Sequence, residues 1–163
     1  KVKTVLDIGA GTGLLSLVIA QQSDAKIEAV EIDKAAATQA QQNFAASPWK
    51  ERVLVHNNSI QEFYQIANQQ YDLIISNPPF FENDLKSDDS KRNLALHSSE
   101  LSLEELLKAI TIHLNKDGLF AVLLPFHRTG YFEKLAGAKY CLHEKVLVKQ
   151  TAKHNYFRTK TFN

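Results

Sequence analysis

Two short stretches of this 163-residue chain carry groups that can do chemistry together. The first is Asp7-Ile8-Gly9-Ala10-Gly11-Thr12-Gly13, set between an apolar run and a helical pattern. Glycines at a strand-to-helix turn let the backbone fold tightly and approach a ligand without Cβ collisions. In an open α/β sheet, ligands bind beyond the carboxyl ends of the strands. Eighteen residues after Gly13, Glu31 closes a second apolar run, where a carboxylate can accept both hydroxyls of a ribose. Asp33 is the alternative acid, although it better suits the cap of a helix starting at Lys34. A dinucleotide fingerprint would need glycine at Leu14, and Asp7 is a poor neighbour for a pyrophosphate. It is a good neighbour for an ammonium group. A ribose, an ammonium and no phosphate describe S-adenosylmethionine; the plain alternative is an ordinary turn with spare glycines.

The second stretch is Ser76-Asn77-Pro78-Pro79-Phe80-Phe81. Two prolines end a strand and stiffen the loop, leaving carbonyls without adjacent N–H groups. Asn77 offers a side-chain oxygen and Pro78 a backbone carbonyl, two acceptors suited to an amino group with two protons to give. Phe80 or Phe81 can stack on a flat base. An exocyclic amino nitrogen is a weak nucleophile because the ring draws in its lone pair. Two rigid acceptors favour pyramidalisation and aim the lone pair, so catalysis reduces to orientation and electrostatics. Taken alone, the tetrapeptide reads equally well as a rigid loop with an aromatic plug.

The elements that must bring these stretches together alternate strand and helix. Thr4 to Ile8, Ile27 to Glu31, Arg52 to His56, Tyr71 to Ser76 and Leu119 to Pro125 read as strands. Between them lie helical patterns at Leu14 to Gln22, Lys34 to Ala46, Ile60 to Ala67 and Leu103 to Leu114, with Ser102 as an N-cap. A brief helix at Gly130 to Leu135 precedes strands at Cys141 to Lys149 and Asn155 to Phe162. Such alternation predicts an α/β fold: a doubly wound Rossmann-like sheet, mostly parallel, with helices on both faces. The last two strands have no helix between them and are expected to form an antiparallel hairpin. In the first helix, Leu14, Leu15, Val18 and Ile19 supply the apolar spacing.

At 18.4 kDa, 44% hydrophobic and 23% charged, the chain is expected to be one domain over 1–163. No apolar run reaches the roughly 18 residues that span a bilayer. A single cysteine, Cys141, excludes an intrachain disulfide and suits a reducing cytoplasm; it reads as a small core residue. No histidine and carboxylate spacing suggests a metal, and a monomer is expected. The chain has no methionine and opens inside its first strand, so an N-terminal segment is expected to be missing. Residues 134–163 hold seven Lys/Arg against one acid, Glu144, while the whole chain is only +1. That asymmetry suits a phosphate backbone along one sheet edge, or a solvated edge strand kept from aggregating by lysines.

Asp7 to Gly13, Glu31 and Asn77 to Phe80 together resemble class I S-adenosylmethionine-dependent methyltransferases acting on amino nitrogens. The continuation, with Lys91-Arg92, Ala95-Leu96-His97 and Leu101-Ser-Leu-Glu-Glu-Leu-Leu, resembles the tRNA(Val) adenine-37 N6-methyltransferase family. The resemblance implies that Asn77, Pro78 and Phe80 hold the target adenine. It implies a cofactor set of Asp7, Gly9, Gly11, Gly13, Glu31, Ile32 and Asn77. Family members usually have an acid after the third strand; here Asn58 or Ser59 must take its place. Phe81, His97, Lys91 and Arg92 are candidates for contact with tRNA. Asn-Pro-Pro-aromatic loops also resemble enzymes that methylate guanine N2 or a protein glutamine amide, and a cofactor-binding module without turnover is a further alternative.

Overall fold

A computed structural model describes residues 1–66, 69–78, 101–149 and 157–162 of the chain. Elements follow in the order β1 (Thr4–Ile8), α1 (Leu14–Gln22), β2 (Lys26–Val30), α2 (Lys34–Ala46), β3 (Val53–His56), α3 (Ile60–Ile66) and β4 (Tyr71–Ser76). The remainder are α4 (Leu103–His113), β5 (Leu114–Pro125), α5 (Phe126–Ala136), β6 (Leu142–Glu144), β7 (Val148–Lys149) and β8 (Phe157–Phe162). Five parallel strands form the body of the sheet in the order β3-β2-β1-β4-β5. β8 runs antiparallel to β5, and both β6 and β7 pair antiparallel with β8. Residues 150–156, which would connect the expected hairpin, lie outside the described residues.

Strand alternation sends successive side chains to opposite faces, and two cores result. Leu6, Ile8, Val30, Ile74, Phe120 and Val122 pack against Phe63 of α3, Leu106 and Ile110 of α4 and Phe132 of α5. Val5, Ile27, Ala29, Val53 and Ile75 meet Ala20 of α1 and Ala40 and Phe44 of α2. The fold is the expected doubly wound α/β sheet. Asp33 caps α2 by accepting from the Ala36 N–H at 2.7 Å. Ser102 and Glu105 form a reciprocal capping box on α4. Among the described residues, no helix is long and apolar enough to cross a membrane.

Four expectations change. The strand expected over Cys141 to Lys149 is two short strands, β6 and β7, separated by residues 145–147. The fifth strand begins at Leu114 rather than Leu119, because register shifts between Tyr71↔Leu114 and Leu73↔Leu119 let residues 115–118 bulge without ending the ladder. Asn115 secures the bulge by donating to Asp72 Oδ1 at 2.7 Å. The brief helix starts at Phe126, since Pro125 turns the chain straight from β5 into a helix that buries Thr129, Phe132 and Ala136. Cys141 is exposed, not core, because it lies where the chain enters the edge strand β6, whose three residues are all exposed.

Candidate active site

The candidate site is built on the turn from β1 into α1. Gly9, Gly11 and Gly13 all have positive φ, at 71°, 57° and 83°. Their surroundings separate them. A Cβ on Gly13 would lie 2.3 Å from Phe44 Cε1, so this glycine lets α2 pack against the turn. A Cβ on Gly9 or Gly11 would meet nothing within 4 Å. Those two face open space, which a ligand can enter.

Three hydrogen bonds tie the turn to β2. The Gly9 and Ala10 N–H groups donate to the Val30 carbonyl at 2.9 and 3.2 Å. Gly11 N–H donates to Glu31 Oε2 at 2.7 Å, while Asp33 N–H donates to Oε1 at 2.8 Å. Glu31 is buried, and each oxygen keeps a lone pair beyond the bond it accepts. Exposed Ile32 follows it. Asn57 braces this corner by donating to the Glu31 and Ile32 carbonyls at 2.9 and 3.1 Å.

Asp7 sits beneath the turn, fully buried. Its Oδ2 accepts from the Ser16 hydroxyl at 2.7 Å, and its Oδ1 has no partner among the described residues. Burial pushes the carboxyl up to about 6; hydrogen bonds from the Ser16 side chain and backbone oppose that, and the nearby Glu31 charge adds to it. Ser16 is the residue that sequence reasoning missed. The apolar spacing of Leu14, Leu15 and Val18 reads as the buried face, yet all three are exposed and α1 buries Ser16 and Ala20. A polar residue three positions beyond the last glycine, able to reach back to Asp7, was the available signal.

The second stretch leaves the sheet beside the first. β1 and β4 pair in parallel with Ile8 opposite Ser76, and the Ser76 hydroxyl donates to the Ile8 carbonyl at 2.8 Å. Gly9 and Asn77 therefore emerge side by side at the same edge. Asn77 is exposed and Pro78 buried. After β3, Ser59 spends its hydroxyl capping α3: it accepts from Glu62 N–H at 3.1 Å, while its own N–H donates to Glu62 at 2.8 Å. Bonds from Ser59 and Asn58 hold the Glu62 carboxyl below the usual carboxylate range. Asn58 and Ser59 are thus engaged with α3, and both are half-buried. Phe80, Phe81, Lys91, Arg92 and His97 lie outside the described residues. Among those described, no cluster of His, Cys, Asp or Glu can hold a metal ion.

A parallel sheet with this glycine turn, a carboxylate at the tip of β2 and a proline loop at the tip of β4 defines a class. The chain belongs to the methyltransferase small domain family, whose model matches residues 1–122. It is 44% identical over 131 residues to a protein of Cytophaga hutchinsonii named tRNA1(Val) (adenine(37)-N6)-methyltransferase, covering 80% of this chain and 55% of that one. A Dyadobacter fermentans protein of the same name is 44% identical over 156 residues, 94% of this chain and 64% of its own. The chain thus spans between half and two thirds of the length of these relatives. A TehB-like SAM-dependent methyltransferase from Corynebacterium glutamicum shares the fold, with a TM-score of 0.66 and 20% identity over 98% of this chain and 79% of that one.

Proposed function

We propose that this chain transfers a methyl group from S-adenosylmethionine to the exocyclic N6 of an adenine in tRNA. The observation that carries the reading is the Ile8↔Ser76 register, which sets the glycine turn and the Asn77-Pro78 loop side by side at one sheet edge. The names of the relatives support the substrate class.

The residues present fit the cofactor. Gly9 and Gly11 border open space, Glu31 offers unspent lone pairs to ribose hydroxyls, and Asp7 holds an unpaired oxygen beneath the turn. Ile32 is an exposed apolar side chain beside Glu31, suited to a base. Bound there, S-adenosylmethionine supplies an electrophilic methyl on a sulfonium. The chain's own groups do the rest. The Asn77 side-chain oxygen and the Pro78 carbonyl accept the two amino protons of the adenine and hold its nitrogen lone pair toward the donor. Phe80 stacks on the base, which must first leave its own stack. No strong base is required, because the proton departs after nitrogen has become cationic. Phe81, His97, Lys91 and Arg92 then meet the surrounding RNA. A tRNA substrate goes with the cytoplasm.

The test is incubation with a tritiated methyl donor and tRNA from a strain lacking the activity. Label in N6-methyladenosine is expected; label in protein or in N2-methylguanosine overturns the assignment of the acceptor. Asn77→Ala is expected to lower methyl transfer at least 100-fold, as loss of a transition-state acceptor does, with cofactor affinity by calorimetry changed less than about two-fold.

A further inference from the structure

α1 is an apolar helix with an unexpected orientation. It buries only Ser16 and Ala20 and leaves Leu14 68% and Val18 47% exposed. Burying a serine while exposing leucines costs free energy unless the hydroxyl has a strong partner. That partner is Asp7, whose Oδ2 lies 2.7 Å from the Ser16 hydroxyl, both residues being 0% exposed. Gly13 provides no side-chain cap to α1, so the Asp7 carboxyl also stands in for one at the positive end of the helix. A buried carboxylate ordinarily has both oxygens hydrogen-bonded, yet Oδ1 has no partner among the described residues. Its neighbours on the sheet are the apolar Ala29 and Ile75, and the charged group facing it is Glu31 at the tip of β2. Nothing in this set neutralises Asp7. The missing counter-charge matches the ammonium group that the crevice is proposed to receive.

We propose that Ser16 is a positioning residue for the methyl donor: by holding one oxygen of Asp7 it keeps that carboxyl charged beneath the glycine turn, ready for the donor's ammonium. The inference rests on the reading that the crevice binds S-adenosylmethionine. Ser16 touches neither donor nor acceptor; it acts through Asp7. Removing the hydroxyl leaves burial unopposed, so the carboxyl takes up a proton at higher pH and the donor meets a neutral group.

The experiment follows the Asp7 carboxyl by carbon NMR in the ligand-free protein and measures S-adenosylhomocysteine affinity by calorimetry between pH 5.5 and 7.5. In the wild type the affinity should fall as pH drops through about 6, in step with the Asp7 titration. Loss of one charge-assisted hydrogen bond raises the midpoint in Ser16→Ala by about one pH unit. Affinity should then fall about five-fold at pH 6 and less than two-fold at pH 7.5. Ser16→Thr should restore the wild-type profile. Ser16→Cys, a weaker donor, should lie between and serves if the alanine variant does not fold. An unchanged midpoint in Ser16→Ala or Ser16→Cys overturns the proposal, as does an equal loss of affinity at every pH. Absence of binding by the wild type at pH 7.5 refutes the cofactor reading itself.

Discussion

Asp7 and Glu28 are carboxylates on neighbouring strands, one register position apart and on opposite faces of the sheet. Their fates differ. Glu28 faces the α3 and α4 layer, where Oε2 lies 2.8 Å from His56 Nε2. That partner holds Glu28 below the usual carboxylate range, against the opposing effect of burial. Asp7 faces α1 with a hydroxyl and a backbone N–H for company, and burial wins. The contrast separates an acid that is satisfied inside the fold from one that burial leaves short of partners. The first finds a hydrogen-bonding partner inside the fold; the second is left short of one at a cost in stability.

Asp7→Asn should break the contrast most. The shift from 3.8 to about 6 amounts to about 3 kcal/mol withheld from the folded state at neutral pH. Denaturant titration at pH 7 should find the variant at least as stable as wild type. Its affinity for S-adenosylmethionine should fall about tenfold, as loss of a buried charge beneath the ligand does. A variant that loses both together would make Asp7 a structural acid like Glu28.

The glycines carry the same division in miniature. Gly13→Ala forces a methyl into Phe44 and a strained positive φ, and about 2–3 kcal/mol of stability should go. Gly9→Ala meets only the φ penalty, about 1–2 kcal/mol, but places its methyl in the open crevice and should weaken cofactor binding. Equal stability losses at the two positions would erase the distinction.

Glu28→Gln should have the smallest effect. A part-exposed pair is worth about 1 kcal/mol, and cofactor affinity should not change. The pH dependence separates the two acids by sign. Glu28's lowered titration gives stability that is present above pH 4.5 and lost as pH falls below it. Asp7's raised titration does the reverse: between pH 3.8 and about 6, rising pH withdraws stability. Stability measured from pH 4 to 7 in Asp7→Asn should therefore rise more steeply with pH than in wild type, and in Glu28→Gln less steeply.

A mostly parallel sheet with helices on both faces was legible because apolar runs alternate with helical patterns between glycine and proline punctuation; the strand order came from the structure. Glu31 was legible through its distance from the glycine turn, and the structure brings its carboxylate within 2.7 Å of Gly11 N–H. Ser16 was not. Periodicity assigns the buried face by counting apolar residues, and α1 is apolar nearly all round, so its spacing does not single out the face that buries Ser16 and Ala20. The bulge at 115–118 was hidden for a related reason: Lys116-Asp117-Gly118 has turn chemistry whether it ends a strand or interrupts one. Cys141 misled because composition places cysteines inside, whereas its position at the start of a short edge strand places it outside.

The proposed transfer depends on the meeting of the glycine turn with the Asn77 loop. A crystal structure of the protein with S-adenosylhomocysteine and adenosine measures that meeting directly. The ribose hydroxyls should lie on Glu31, with the sulfur of the cofactor product between Gly9 and Asn77 and the adenosine amino group within hydrogen-bond distance of the Asn77 oxygen and the Pro78 carbonyl. A cofactor seated elsewhere, or an Asn77 side chain turned away from the sulfur, would contradict it.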